Sequence, residues 1–352
     1  MKKVLLTSAA VLAVPALVNA EMTMSAPTIY GKINKSFAYT DQDVKTRKST
    51  TGVRDVDNSE TRLGAKGEVA VSEAVKANYA LEIGFNSTES GSSRIRMRLA
   101  QGSFMTKLGT VTFGQTYTPS SAKALTLDPL SNTILGVANA DQAKILGNIV
   151  GAGKKGGLGA IYRSRVDLLS YTTPVFGGLT YTISSDKSNK MANDSTDTNN
   201  YGPETFEHMV DFNHTMGDMK LNVFVNYQTT SSYSTKDDTV LFYGAKLSMN
   251  AFDFAVSMTS EEVEANNTKT EVERMIGAVT YKMNAHKVAF TYQTAEQKKS
   301  NETTQMALGY KYALDKNIEL RGLVGTYEFK DKVTSTNKND ATIFGLGTEI
   351  KF

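Results

Sequence analysis

The 352 residues include no cysteine and no tryptophan, three histidines and six prolines. Without cysteine there is no disulfide, no zinc–thiolate or iron–sulfur site and no thiol nucleophile. His208, His214 and His286 leave little acid–base chemistry, and none has a serine in a Gly-x-Ser-x-Gly setting nearby. No catalytic residues, metal ligands or cofactor are expected. The body of the chain also lacks an apolar run near the roughly 20 residues that a helical membrane span needs, and the mean hydropathy is −0.30. That absence does not exclude a membrane β-barrel, whose strands carry apolar surface at every second position. Charge of one sign is lacking as well. Lys and Arg number 39 against 36 Asp and Glu, which gives no reason to expect a nucleic-acid partner.

The first twenty residues read as a secretory leader. Lys2 and Lys3 precede an apolar stretch from Val4 to Val14, Pro15 breaks it, and Val18-Asn19-Ala20 sets up cleavage after Ala20. No cysteine follows, so a lipid anchor is not expected. Without this leader the chain holds 37 basic and 36 acidic residues. Residues 21–352 read as one domain.

From Pro27 onward, apolar residues recur with period two. Val75, Ala77, Tyr79, Leu81, Ile83 and Phe85 share one face, and Lys76, Asn78, Ala80, Glu82 and Gly84 share the other. About 16 segments show this pattern, each near the roughly 9–11 residues a tilted strand needs to cross a bilayer. Their connections alternate in length. Short ones include Thr173–Gly178, Met216–Met219, Asn284–His286 and Leu314–Asn317. Long polar ones cover 41–59, 86–93, 118–159, 185–204, 228–238, 260–271, 293–302 and 330–340. Short turns at one end and long loops at the other predict an all-β fold: a transmembrane antiparallel β-barrel of 16 strands. Aromatic residues near strand ends (Tyr39, Phe85, Tyr117, Tyr171, Phe206, Tyr227, Tyr292, Tyr312 and Phe352) fit girdles at the two interfaces.

Several segments together resemble the general porins of Gram-negative outer membranes. Ile29-Tyr30-Gly31-Lys32-Ile33 is similar to that family's first strand, and Thr61-Arg62-Leu63-Gly64-Ala65-Lys66-Gly67-Glu68 to its second. Leu108 to Gln115 resembles the fifth. Arg165-Val166-Asp167 with Ser170-Tyr171 and Pro174 to Leu179 resembles the strand–turn–strand after the constriction loop, and the ending runs from Gly345 to an aromatic Phe352. The resemblance covers residues 27–352. It implies a homotrimer in the outer membrane, in contact with lipid and lipopolysaccharide, passing small hydrophilic solutes and ions through each protomer. It also implies a third extracellular loop folded into the barrel, and a role for the row ending at Phe352 in outer-membrane assembly.

Arg94, Arg96 and Arg98 alternate and so face one way, with Ile95, Met97 and Leu99 facing the other. A charge on the lipid face at the midplane costs roughly 2–4 kcal/mol, so three such arginines belong in the lumen. Arg62, Arg163 and Arg165 follow the same logic, and all six are candidates for the constriction; the family's basic wall matches Arg62, one or two of Arg94, Arg96 and Arg98, and Arg163 or Arg165. The third loop, 118–159, carries Leu125, Leu127, Leu130, Ile134, Leu135, Ile145 and Leu146, more apolar content than a solvated loop needs. Its acids are Asp128 and Asp141, against Lys123, Lys144, Lys154 and Lys155. The family's acidic loop tip is replaced here by Asp128-Pro129-Leu130. Glu68 and Glu82 partly offset the lumen arginines, and the balance predicts a mild anion preference. Small and apolar outward residues near the termini, Ile29, Gly31, Ile33 and Leu346, are the expected trimer contact.

Other readings are weaker. Gly151-Ala152-Gly153-Lys154-Lys155 lacks the spaced first glycine and the Ser/Thr of a phosphate loop. The acids of the fourth and sixth loops fit no EF-hand spacing. A substrate-specific channel, or a barrel acting as an adhesin or anchor, remains the alternative to a general pore.

Overall fold

The computed structural model describes residues 23–43, 49–87, 94–136, 165–187, 204–231, 237–265, 268–298, 300–332 and 338–352. The expected leader, residues 1–20, lies outside them. In chain order come β1 (Thr23–Met24), β2 (Thr28–Asp43), β3 (Thr50–Asp55), β4 (Thr61–Ser72), β5 (Val75–Phe85), β6 (Ile95–Thr106) and β7 (Gly109–Tyr117). Helix α1 (Pro119–Leu127) precedes β8 (Arg165–Thr172), β9 (Leu179–Lys187), β10 (Glu204–Met216), β11 (Met219–Thr230) and β12 (Asp238–Met249). The sheet ends with β13 (Phe252–Ala265), β14 (Thr268–Met283), β15 (His286–Gln297), β16 (Asn301–Ala313), β17 (Ile318–Asp331) and β18 (Lys338–Lys351).

Neighbours in sequence pair antiparallel, and β18 returns to β2, Lys32–Asp43 lying opposite Asp340–Lys351. Gly31 and Phe352 exchange backbone hydrogen bonds of 2.9 and 3.1 Å at the seam. The sheet is therefore closed, which leaves no edge of unpaired backbone groups. β3 and β4 share one position in the wall. β3 pairs with Lys35–Thr40 of β2 and β4 with Thr28–Lys32, and β1 shares the stave of β2, lying opposite Val69 and Ala70 at the other end of β4, so the 18 strands make 16 staves. The break between them is a 3-10 turn, Asp57–Ser59, whose flanking Val56 and Glu60 are fully buried.

Alternation decides which side chains face in. On β11, Val223, Val225 and Tyr227 are exposed on the outer wall, whereas Phe224, Asn226 and Gln228 are buried inside. Short turns join the staves at one end. Asn250, Asn284 and Gly217 adopt φ of 52°, 52° and 55° there, the left-handed backbone that two-residue hairpins require and that Asn and Gly adopt most readily.

Three expectations from the sequence need correction. The polar stretches 260–271 and 293–302 are mostly strand, because β13–β16 run on past the apolar band as a ladder of charged pairs. Arg274 meets Glu261 at 2.8 Å, and Lys298 meets Glu271 at 2.7 Å and Glu273 at 3.0 Å; opposite charges across strands favour continued pairing. The stretch 41–59 likewise contains β3 and the buried turn. Lastly, Leu99 faces inward. The register of β5 on β6 slips at Glu82/Ile83, where Glu82 pairs with Leu99 and Ile83 with Met97. Arg98 is the extra residue of this bulge, so the outward row passes from Met97 to Ala100 and the parity flips.

Candidate functional site in the barrel lumen

Four of the six predicted arginines converge at one place on the inner wall. Arg62 on β4 donates from Nη1 to Glu82 Oε1 (3.0 Å), from Nη2 to Ser59 Oγ (3.1 Å) and from Nε to the Glu60 carbonyl (3.2 Å). Arg98 reaches Glu82 from Nε (2.5 Å), Glu60 Oε2 from Nη1, and the Tyr117 hydroxyl from Nη2 (3.0 Å). Arg96 pairs with Glu60 Oε1 and lies 4.0 Å from Asp57. Arg165, on β8, donates to the same Tyr117 hydroxyl (3.0 Å), stacks over that ring at 5.2 Å, and approaches Glu60 Oε2 to 3.9 Å.

Burial separates these groups into layers. The carboxylates of Glu60 and Glu82 are 0% and 3% exposed, while the Arg96 side chain is 47% exposed. A solute in the lumen therefore meets guanidinium first, with the acids behind it. Arg94 sits at the open end of β6, exposed, its carbonyl accepting from Asn86 N (2.9 Å). Arg163, Asp141 and Lys144 lie outside the described residues.

The start of the third loop lies against the opposite inner wall. Thr118 caps α1 by accepting from Ser121 N (3.2 Å), Pro119 fills the first turn, and Glu207 of β10 accepts from Ser120 N (2.9 Å) and Oγ (3.1 Å). Ala124 and Leu127 pack with Phe224, Phe242 and Ile276. Beyond the helix, Leu130, Ile134 and Leu135 fill spaces above Gly309, Gly345 and Gly325, where even a Cβ would crowd them. Polar side chains of the wall hold the loop backbone: Lys311 to Pro129 O (2.8 Å), Arg321 to Asn132 O (2.8 Å), Gln305 to Leu135 O (3.1 Å) and Asn58 to Thr133 O (2.8 Å).

A closed barrel of 16 staves with an apolar outside and a layered basic cluster within has counterparts among known proteins. The model of the Gram-negative porin family matches residues 7–332. The chain belongs to the Gram-negative porin family. As a porin it crosses the outer membrane with many strands and forms a channel there. Its fold is similar to that of the anion-selective porin from Comamonas acidovorans, with a TM-score of 0.72 and 18% identity over 94% of this chain and all of that one. It is also similar to the outer-membrane channel DcaP of Acinetobacter baumannii, with a TM-score of 0.65 and 13% identity over 95% and 99% of the two chains. The trimer form of OmpT from Vibrio cholerae gives 0.62 and 14% over 95% and 100%. No curated protein matches the sequence.

Two loop residues of this porin sit differently from what their charge suggests. Asp128 is buried and accepts from Leu130 N at 2.8 Å, which shapes a turn at the end of the helix. Lys123 pairs with Asp211 and donates to Asn222 Oδ1 at 3.2 Å, its charge met by the wall. Tyr117, grouped with the girdle aromatics by sequence, instead binds two arginines. Glu60 and Asp57 were missed because they fall in a stretch without alternation. A signal was available in Asp57-Asn58-Ser59-Glu60, a polar cluster between two strand patterns.

Proposed function

We propose that the protein is a general diffusion porin, passing small hydrophilic solutes and ions with a mild preference for anions. The observation that carries this reading is the layering in the lumen: half-exposed Arg96 in front of buried Glu60 and Glu82. Low-dielectric walls focus the field of lining charges, so the outermost guanidinium weighs most. Pairing keeps the effect small, since Arg62, Arg96, Arg98 and Arg165 are set against Glu60, Glu82 and Asp57. Arg163, Arg94, Lys144 and Asp141 belong to the same proposal as further charges of the pathway.

The assembly we propose is a homotrimer, joined through outward Ile29, Ile33 and Leu346, with lipid and lipopolysaccharide around the rest of the wall. Cross-linking in native membranes should trap trimers; monomer alone would contradict this assembly. A leader cleaved after Ala20 would deliver the chain to the periplasm. Function is tested by liposome swelling with neutral sugars of increasing size. Rates should fall smoothly with solute size. No swelling would refute a pore, and block by one solute at low concentration would mark a substrate-specific channel.

A further inference from the structure

We infer that Glu60 is the residue that limits the ion preference of this pore and holds its basic wall together; this rests on the diffusion-pore reading above. All four arginines that meet on the inner wall touch residue 60. Arg96 and Arg98 each take one carboxylate oxygen, Arg165 lies 3.9 Å from the second, and Arg62 Nε donates to its carbonyl at 3.2 Å. Glu82 has Arg62 and Arg98 only.

The carboxylate comes from an unexpected part of the chain. Asp128 of the third loop accepts from Leu130 N within its own turn. Glu60 instead follows the 3-10 turn that interrupts the second stave, and this turn is fixed from both sides. Val56 packs in the cluster that contains Leu130, Ile134 and Leu135, while Asn34 donates to Ser59 O at 2.8 Å and Asn58 to Thr133 O at 2.8 Å. A straight strand here would follow the wall; the turn carries residue 60 to the point where the guanidinium groups converge.

Four like charges within reach of one another repel, and the Glu60 carboxylate, beside Glu82 and Asp57, relieves part of that repulsion while cancelling one charge. Removing only its charge leaves one positive charge uncompensated where the field is focused. Glu60→Gln should therefore raise the anion-to-cation permeability ratio about twofold at low salt, an effect that shrinks as salt screens it. Arg96→Gln should move the ratio the other way.

The test is the zero-current potential of purified wild type, Glu60→Gln, Arg96→Gln, Glu60→Gln/Arg96→Gln and Glu68→Gln in planar bilayers under a KCl gradient. The double variant loses one charge of each sign, so it should fold even where Glu60→Gln does not, and its potential should return close to wild type. Glu68, exposed and paired with Lys76 away from the cluster, should give a much smaller shift than Glu60. A Glu60→Gln potential unchanged or displaced toward cations would overturn the inference. So would a double variant that matches Arg96→Gln alone, or a Glu68→Gln shift as large as that of Glu60→Gln. Should wild type fail to conduct, the pore reading fails; should it conduct and Glu60 prove silent, only this inference fails.

Discussion

Arg98 shows how much one residue adds beyond its charge. Its side chain is 1% exposed and bound to two carboxylates and a tyrosine hydroxyl. Removing Arg98 takes one charge-assisted bond from each partner, although Glu60 keeps Arg96, Glu82 keeps Arg62 and Tyr117 keeps Arg165; breaking a buried ion pair outright costs about 3–5 kcal/mol, an upper bound here. Arg98→Met should therefore lower the temperature at which the barrel loses its heat-resistant migration on a gel, whereas Arg94→Met, at the exposed end of the same strand, should leave it unchanged. Equal behaviour of the two would show that the network adds little. The inward direction of Arg96 and Arg98 was legible in the sequence, because charge on alternate positions has one tolerable side in a membrane wall. Leu99 was not, because a bulge leaves no mark in a hydrophobic pattern. The acids facing the arginines were not legible either: period two assigns a face to each side chain but says nothing of what lies across from it.

Among the elements, the third loop has the most to lose from a single change. The sequence already implied a buried destination for Leu130, Ile134 and Leu135, since a solvated loop has no use for them. It did not reveal the receiving surface, because Gly309, Gly325 and Gly345 read as ordinary gaps in β16, β17 and β18. They are the inward positions over which the three aliphatic side chains sit. Losing a buried leucine costs about 2–5 kcal/mol, and a charge there costs more. Leu130→Asp should free this part of the loop from the wall while the staves remain paired. Single-channel records should then show larger and noisier conductance at unchanged heat stability. Wild-type conductance in that variant would mean the loop is held by its hydrogen bonds alone. The strand ladder β13–β16 illustrates the opposite failure of sequence reading: Glu261, Glu271, Glu273 and Lys298 look like loop residues by composition, yet their cross-strand pairs prolong the sheet.

For the whole molecule, closure and ion preference are the properties at stake. Phe352 exchanges backbone bonds with Gly31, and its ring covers that glycine from the outer side of the seam. Deleting Phe352 should reduce the amount of barrel reaching the outer membrane more than it reduces the heat stability of barrels that do assemble. Normal surface levels would contradict this. The number of staves and the alternation of turn lengths were legible because closure in lipid and a two-residue period allow few alternatives. The sign of the pore's field was less so, since it depends on pairing between distant segments. The most direct measurement is the zero-current potential of the purified wild-type protein in a planar bilayer under a KCl gradient. A small potential of anion-preferring sign is expected at low salt, fading toward 1 M as the Debye length falls to about 3 Å. A potential of cation-preferring sign at low salt would contradict a lumen led by Arg96 in front of buried Glu60 and Glu82.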